Sequence, residues 1–302
     1  MRRALALTGR ALISAGVLLL LFVAYELWGT NISEARSQNT LGQQFRAEQA
    51  RAHPRPEPTG STTTTSTTVA APAVLPGYAI GRIQIPKIGV DKFFVEGVGH
   101  DDLMKGPGHY PGTPLPGQQG NAAIAGHRTT YGAPFYNLNN LVPGDQIVLQ
   151  TLAGRYVYDV TGTQVVLPDD VSVIAPESGY HLTLTTCNPR FSAAQRLVIS
   201  AALAGPPPAT PPPSPGGPSG KTPNTIPGDA TVAANSISGS SAAIPPLIWW
   251  GLAAGAVWLA AWALARRGRA WGWRAYVVAA PVFLVPLYFF FENVTRLLPS
   301  NV

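Results

Sequence analysis

Cysteine is almost missing from this chain: 302 residues contain one, Cys187. A single cysteine excludes an intramolecular disulfide and any thiolate-rich metal cage. The five histidines are separated and the acidic residues scattered, and no glycine-rich GxxxxGK loop occurs, so no metal, nucleotide or other cofactor is indicated. Charge is scarce too, at 12% of residues. The net charge of +6 lies in the tails, because Pro76–Ala204 carries eight basic residues against nine acidic ones. That segment lacks a basic face able to neutralise phosphates, which removes a nucleic-acid partner.

Charge is most depleted in three apolar stretches of bilayer-spanning length, Ala11–Trp28, Ile244–Ala265 and Ala275–Phe291, which contain no Lys, Arg or Asp and one acidic residue, Glu26. The first follows Arg2, Arg3 and Arg10 and runs on as AYELWGTNIS, without a small-x-small cleavage site, so it reads as a retained anchor. Arg266, Arg267, Arg269 and Arg274 lie between the second and third stretches. Loops rich in Lys and Arg stay on the cytoplasmic side, so both basic regions are expected inside the cell and residues 29 to 243 outside, in a multi-pass membrane protein.

Composition then divides the chain. A basic tail (1–10) and the anchor (11–28) precede a stalk and Pro/Thr-rich linker (29–75), whose residues 31–52 read as a loosely packed stalk helix and whose remainder reads as unfolded spacer. The folded segment is 76–204, and a proline-rich linker (205–243), favouring extended polyproline II, follows it. The second span (244–265), a cytoplasmic basic loop (266–274), the third span (275–291) and a short outer tail (292–302) complete the chain. Within 76–204 the pattern is strand. Residues 78–90, 90–98, 121–127, 145–152, 155–166, 181–187 and 195–203 are short, β-branched or aromatic, and bounded by Gly, Pro, Asn and Asp. Helical signal is confined to 101–104 and 135–141. Seven or eight such strands predict a small all-β barrel or sandwich.

The stretch TLTTCNPRFSAAQRL (183–197) holds the cysteine. Alternation in HLTLTTC puts Leu182 and Leu184 on one face and Thr183, Thr185 and Cys187 on the other, so Cys187 is expected to emerge, exposed, at the strand's carboxyl end. An inert thiol filling a core is the competing reading. A short excursion through NPRFSAA can return Arg196 beside Cys187, where a guanidinium stabilises a thiolate or an oxyanion. Arg190 is the rival, but it lies in the turn. A cysteine nucleophile also needs a proton carrier, usually histidine. His53 falls in the spacer, His100 and His109 flank a loop, and His181 is six residues from Cys187, about 20 Å along an extended strand. His127 ends the apolar strand NAAIAGH, where a cleft can form; an ordinary hydrogen-bonded loop histidine is the alternative.

With TLTTC followed by an RLVI strand, and GHRTTYGAPFYNLNNLVPGD upstream, residues 78–203 resemble the sortases, membrane-anchored cysteine transpeptidases of Gram-positive bacteria, and most of all the class E branch of actinobacteria. The resemblance implies a sortase β-barrel of about eight strands with short helices, and a triad of His127, Cys187 and Arg196. It implies secreted proteins with C-terminal sorting signals as partners. The signal is LPXTG-like, or LAXTG-like in class E, and is cut between Thr and Gly through a thioacyl enzyme. The acyl group passes to a cell-wall precursor or pilin amine. Thr186 matches the family's TC pair, a candidate for orienting substrate, and Tyr110 or Tyr131 would supply the aromatic contact that favours Ala over Pro. The proline-rich arm and two-span hairpin after residue 204 depart from the single-anchor layout of many sortases. Among rivals, an L,D-transpeptidase lacks its SHGC-type signature here, and a cysteine protease differs only in giving the acyl group to water. A non-catalytic membrane-tethered β-domain binding wall polymer or a partner protein is the reading from another class.

Overall fold

The computed structural model describes residues 2–52, 77–206, 244–267 and 272–297. The spacer at 53–76, nearly all of the proline-rich linker, the centre of the basic loop and the last residues of the tail lie outside the described residues. The chain forms two compact units, one of Met1–Thr30 with Ala233–Ser300 and one built on Asn31–Val232.

In the first unit α1 (Arg2–Ala24) leads into a π-helical turn, Tyr25–Gly29. Two more helices, α4 (Ile244–Arg267) and α5 (Gly272–Leu297), follow the barrel in sequence. Among the described residues, three helical segments are long and apolar enough to cross a membrane. Their outward side chains, Leu20, Trp249 and Val278 among them, are exposed apolar surface suited to lipid. Trp250 stacks on Phe289 at 4.6 Å between ring centroids, joining α4 to α5. Tyr25 buries against Leu287 and Phe291.

The second unit is a closed barrel of eight strands: β1 (Ala79–Ile85), β2 (Val90–Glu96), β3 (Gly108–His109), β4 (Gly120–Ala125), β5 (Gln146–Thr151), β6 (Arg155–Val166), β7 (Tyr180–Asn188) and β8 (Gln195–Leu203). Around the barrel they run β1-β2-β3-β4-β7-β8-β6-β5. Alternation fills the interior: Ile83 and Ile85 from β1, Ile124, Leu149, Tyr158, Leu182, Leu184 and Ile199 form one core, each contributing about 1.5–3 kcal/mol by burial. The predicted strand 78–90 is interrupted, because Pro86 cannot donate to the ladder and starts a 3₁₀ turn at Pro86–Ile88. β4 is buried on both faces, which is why its sequence is a run of small apolar residues rather than an alternation. The two helical expectations reduce to single turns: α3 (His100–Leu103), and a 3₁₀ turn at Leu138–Asn140.

Residues 31–52 correct the reading of a loosely packed stalk. They belong to α2 (Thr30–Ala52), which docks on the barrel. Leu41 and Phe45 bury with Ala79 and Val95 against Phe93 and Leu152. One turn earlier the Gln38 amide brackets the strand: its oxygen accepts from Phe93 N–H at 2.7 Å, and its nitrogen donates to the Phe93 and Lys105 carbonyls at 2.9 and 2.8 Å. Glu34, 2% exposed, pairs with Lys92 Nζ at 2.7 Å. The docking stripe recurs every three or four residues as a helix face must, but half of it is polar, so hydropathy hides it.

Candidate active site

Three neighbouring strands end at one rim of the barrel. β4 and β7 are parallel, with Ala125 opposite Thr185 as the last pair of the ladder, and His127 and Cys187 each lie two residues further along their own chain segment. The register persists past the end of β4: Gly126 N–H donates to Thr185 O at 3.1 Å, and Thr186 Oγ1 donates to Gly126 O at 2.7 Å. On the other side β8 is antiparallel to β7, with Arg196 directly opposite Cys187. Its guanidinium Nη1 lies 3.9 Å from Cys187 Sγ and also donates to the carbonyls of Ala193 and Gln195, at 3.1 and 3.2 Å. Adjacent strands lie about 4.8 Å apart, so the β7–β8 ladder sets the guanidinium of Arg196 beside the thiol, while His127 follows the end of β4 on the other side of β7.

Cys187 is not exposed as expected but 7% accessible. Arg196 faces the thiol across the ladder, and the charge of Arg128 also reaches it. It stands apart from the barrel's apolar core. Burial pushes the thiol up, while the positive charges of Arg196 and Arg128 pull it down. His127 is 7% exposed; burial first, then the charge of His100, lowers its imidazole to about 3. At neutral pH the imidazole is therefore uncharged. Its Nε2 has no hydrogen-bond partner among the described residues, leaving it able to take a proton.

Arg128, which the sequence did not single out, ties the two strand ends together. It is 6% exposed; Nη1 donates to Cys187 O at 2.9 Å and to Asn188 Oδ1 at 2.8 Å, and Nη2 to Asn139 Oδ1 at 3.0 Å. Arg190 turns elsewhere, stacking 4.1 Å over the Tyr136 ring and bonding Tyr136 O, which leaves the thiol to Arg196. Tyr110 Oη meets Thr185 Oγ1, two residues before Cys187, at 3.0 Å, and burial raises its phenol. Tyr131 is 3% exposed and packs against the His127 ring at 5.1 Å between centroids. Thr186 is 1% exposed with its hydroxyl given to the Gly126 carbonyl, so it fixes the strand ends.

The other histidines serve different places. His181 Nε2 accompanies Ser178 O at 2.9 Å near the start of β7. His109 is buried between Glu96 Oε2 at 2.8 Å and Pro114 O at 3.0 Å, anchoring the segment that carries Tyr110. His100, set aside for want of a scaffold, begins α3 and acts electrostatically on His127. No periodic pattern reports where Arg128, in a loop, or His100, opening a single helical turn, points, so no sequence signal assigned them.

A closed eight-stranded barrel carrying a histidine, a cysteine and an arginine on the ends of three adjacent strands defines a thiol-centred β-barrel protein. The sortase domain, as a family description, matches residues 83–204. Sortase SrtE1 of Streptomyces coelicolor is 33% identical over 207 residues, covering 63% of this chain and 54% of that protein. Sortase SrtE2 of the same organism is 30% identical over 216 residues, covering 65% of this chain and 81% of that protein. The solved structure of sortase E from Streptomyces avermitilis is 39% identical, covers 43% of this chain and 91% of that one, and superposes with a TM-score of 0.40. The chain thus spans about half the length of SrtE1 and most of SrtE2. It belongs to the sortase family.

Proposed function

We propose that this chain is a membrane-anchored cysteine transpeptidase that cuts an LPXTG-like or LAXTG-like sorting signal between Thr and Gly and transfers the acyl group to an amine of the cell wall or of a pilin. The observation that carries the reading is the pairing of Cys187 with Arg196 across β7 and β8, the sulfur 3.9 Å from the guanidinium, with His127 two residues past the end of β4, the strand on the other side of β7.

In this reading Cys187 Sγ attacks the threonine carbonyl carbon as its proton passes to His127 Nε2. The oxygen gains negative charge beside Arg196, whose fixed donors stabilise it. His127 then gives the proton to the glycine nitrogen, the C–N bond breaks, and a thioester joins the acyl group to Cys187. An acceptor amine attacks that carbon, losing a proton to His127; a C–N bond forms, the C–S bond breaks, and the proton returns to sulfur. An imidazole lowered to about 3 stays neutral between steps and carries the proton only while the substrate reacts. Arg128 and Thr186 hold the strand ends in place, and Tyr110 lines the approach to the thiol. The positive-inside pattern puts the barrel outside the membrane, facing secreted substrates. The deciding experiment incubates the full chain in detergent with an LAXTG peptide and a primary amine. Ligated product from the wild type and none from Cys187→Ala is expected; equal product from both sinks the reading.

A further inference from the structure

The loop that follows His127 is held from outside the barrel. Tyr131, Gly132 and Ala133 all have positive φ, at 49°, 74° and 41°, and two of the three are not glycine. Such a run costs energy and persists only where surrounding contacts enforce it. One set of contacts is internal: Ala133 N–H donates to Thr130 O at 2.9 Å, and Phe135 N–H to His127 O at 3.1 Å. The other comes from α2. Asn31 Oδ1 accepts from Gly132 N–H at 2.9 Å, 101 residues away in sequence. One turn along, the Glu34 carboxylate covers Gly132 so closely that an added Cβ would stand 2.6 Å from Oε2. Glu34 is itself fixed by Lys92, and the helix by Gln38, Leu41 and Phe45. Tyr131, the first residue of the strained run, is the side chain packed on the His127 ring.

We propose that α2 is a positioning element for the site, acting through Asn31 and Glu34 on the 131–133 turn to hold Tyr131 against His127 and keep the imidazole dry and oriented. The segment that leaves the membrane anchor is thereby a working part of the barrel's chemistry, and a chain cut just before the barrel at residue 77 lacks it. The meaning for catalysis rests on the reading of His127 as the proton carrier; the effect on the imidazole does not.

Asn31 is exposed, so Asn31→Ala removes the acceptor without opening a cavity. The test uses the full chain in nanodiscs with ¹³C-labelled histidine, the His127 signal being assigned by its loss in His127→Gln. In the wild type that signal stays neutral down to the lowest pH at which the chain is folded. In Asn31→Ala it titrates within the folded range, toward an ordinary histidine, and kcat for ligation falls about tenfold with KM held within about twofold, as expected for a misoriented group. Asn31→Asp, which keeps an oxygen at the same place, restores both. Phe45→Ala loosens the far end of the helix and lowers Tm, but leaves the His127 signal as in the wild type. The proposal is overturned if Asn31→Ala titrates and turns over like the wild type, or if Phe45→Ala shifts His127 as much as Asn31→Ala does. Ligation by Cys187→Ala would instead strike at the catalytic reading and leave the imidazole result standing.

Discussion

Replacing Arg128 with methionine removes three hydrogen bonds and one buried charge at once, and the structure apportions the cost. Two of the acceptors belong to exposed or half-buried side chains: Asn139 Oδ1 keeps its bond from Arg190 Nη2 at 3.2 Å, and Asn188 Oδ1 can turn to water. The third, the carbonyl of buried Cys187, cannot, so it carries most of the penalty, about 1–3 kcal/mol for an unsatisfied buried group. Arg128 Nε has no partner among the described residues, and removing that buried donor returns part of its desolvation cost. The total expected is about 2–3 kcal/mol, a drop in Tm of roughly 10 °C for a barrel of this size. Arg128→Lys keeps the charge but not the fork and should lose nearly as much stability. The two variants separate at the thiol: Arg128 lowers Cys187, so the methionine variant moves the pH midpoint of iodoacetamide alkylation upward, and the lysine variant moves it less. Melting curves and alkylation rates from pH 6 to 10 read both effects. A methionine variant with wild-type Tm and an unchanged midpoint would refute the idea that Arg128 ties the site together.

Three further outcomes are expected. His127 binds its proton far less readily in the folded chain than in the unfolded one, so the stability it allows is full above pH 6.5 and is lost as pH falls toward 3, on the order of 2–3 kcal/mol by pH 4.5; urea midpoints should drop less in His127→Gln than in the wild type, and equal drops would contradict this. Gly117 has φ +88° and an added Cβ would lie 2.1 Å from Tyr156 Cζ, so Gly117→Ala should cost about 2–4 kcal/mol, whereas Gly144→Ala, at φ +93° in open space, should cost only about 1 kcal/mol of backbone strain in the same melts. Tyr110→Ala should narrow the preference between LAXTG and LPXTG peptides in competition assays, while Tyr110→Phe, which keeps the ring and drops only the bond to Thr185, should retain it; identical selectivity in all three proteins would remove Tyr110 from substrate recognition.

The parts of this molecule legible in its sequence are those where period and position coincide. β6 and β8 begin and end where alternation and turn residues place them, and the parity of HLTLTTC separated the core leucines from the face bearing Cys187. The short return through NPRFSAA likewise brought Arg196 opposite the cysteine. Three things were hidden. The docking of α2 depends on polar side chains such as Gln38, whose amide replaces strand-to-strand hydrogen bonding and leaves no hydrophobic stripe. Arg128 acts from a loop and His100 from the first residue of a single helical turn, where no period constrains direction. The burial of Cys187 is a property of the surrounding fold that the alternation of its own strand does not report, and the charge of Arg128, 59 residues away, reaches it only there.

Intact-protein mass spectrometry of the full chain, quenched in acid during turnover of an LAXTG peptide without added amine, tests the central claim most directly. The account predicts a species heavier by the acyl fragment ending at threonine, mapped by digestion to Cys187, discharged on adding an amine, accumulating more slowly in Arg196→Ala, and absent from Cys187→Ala. Turnover of the peptide by Cys187→Ala, or an acyl adduct on any other residue, would contradict it.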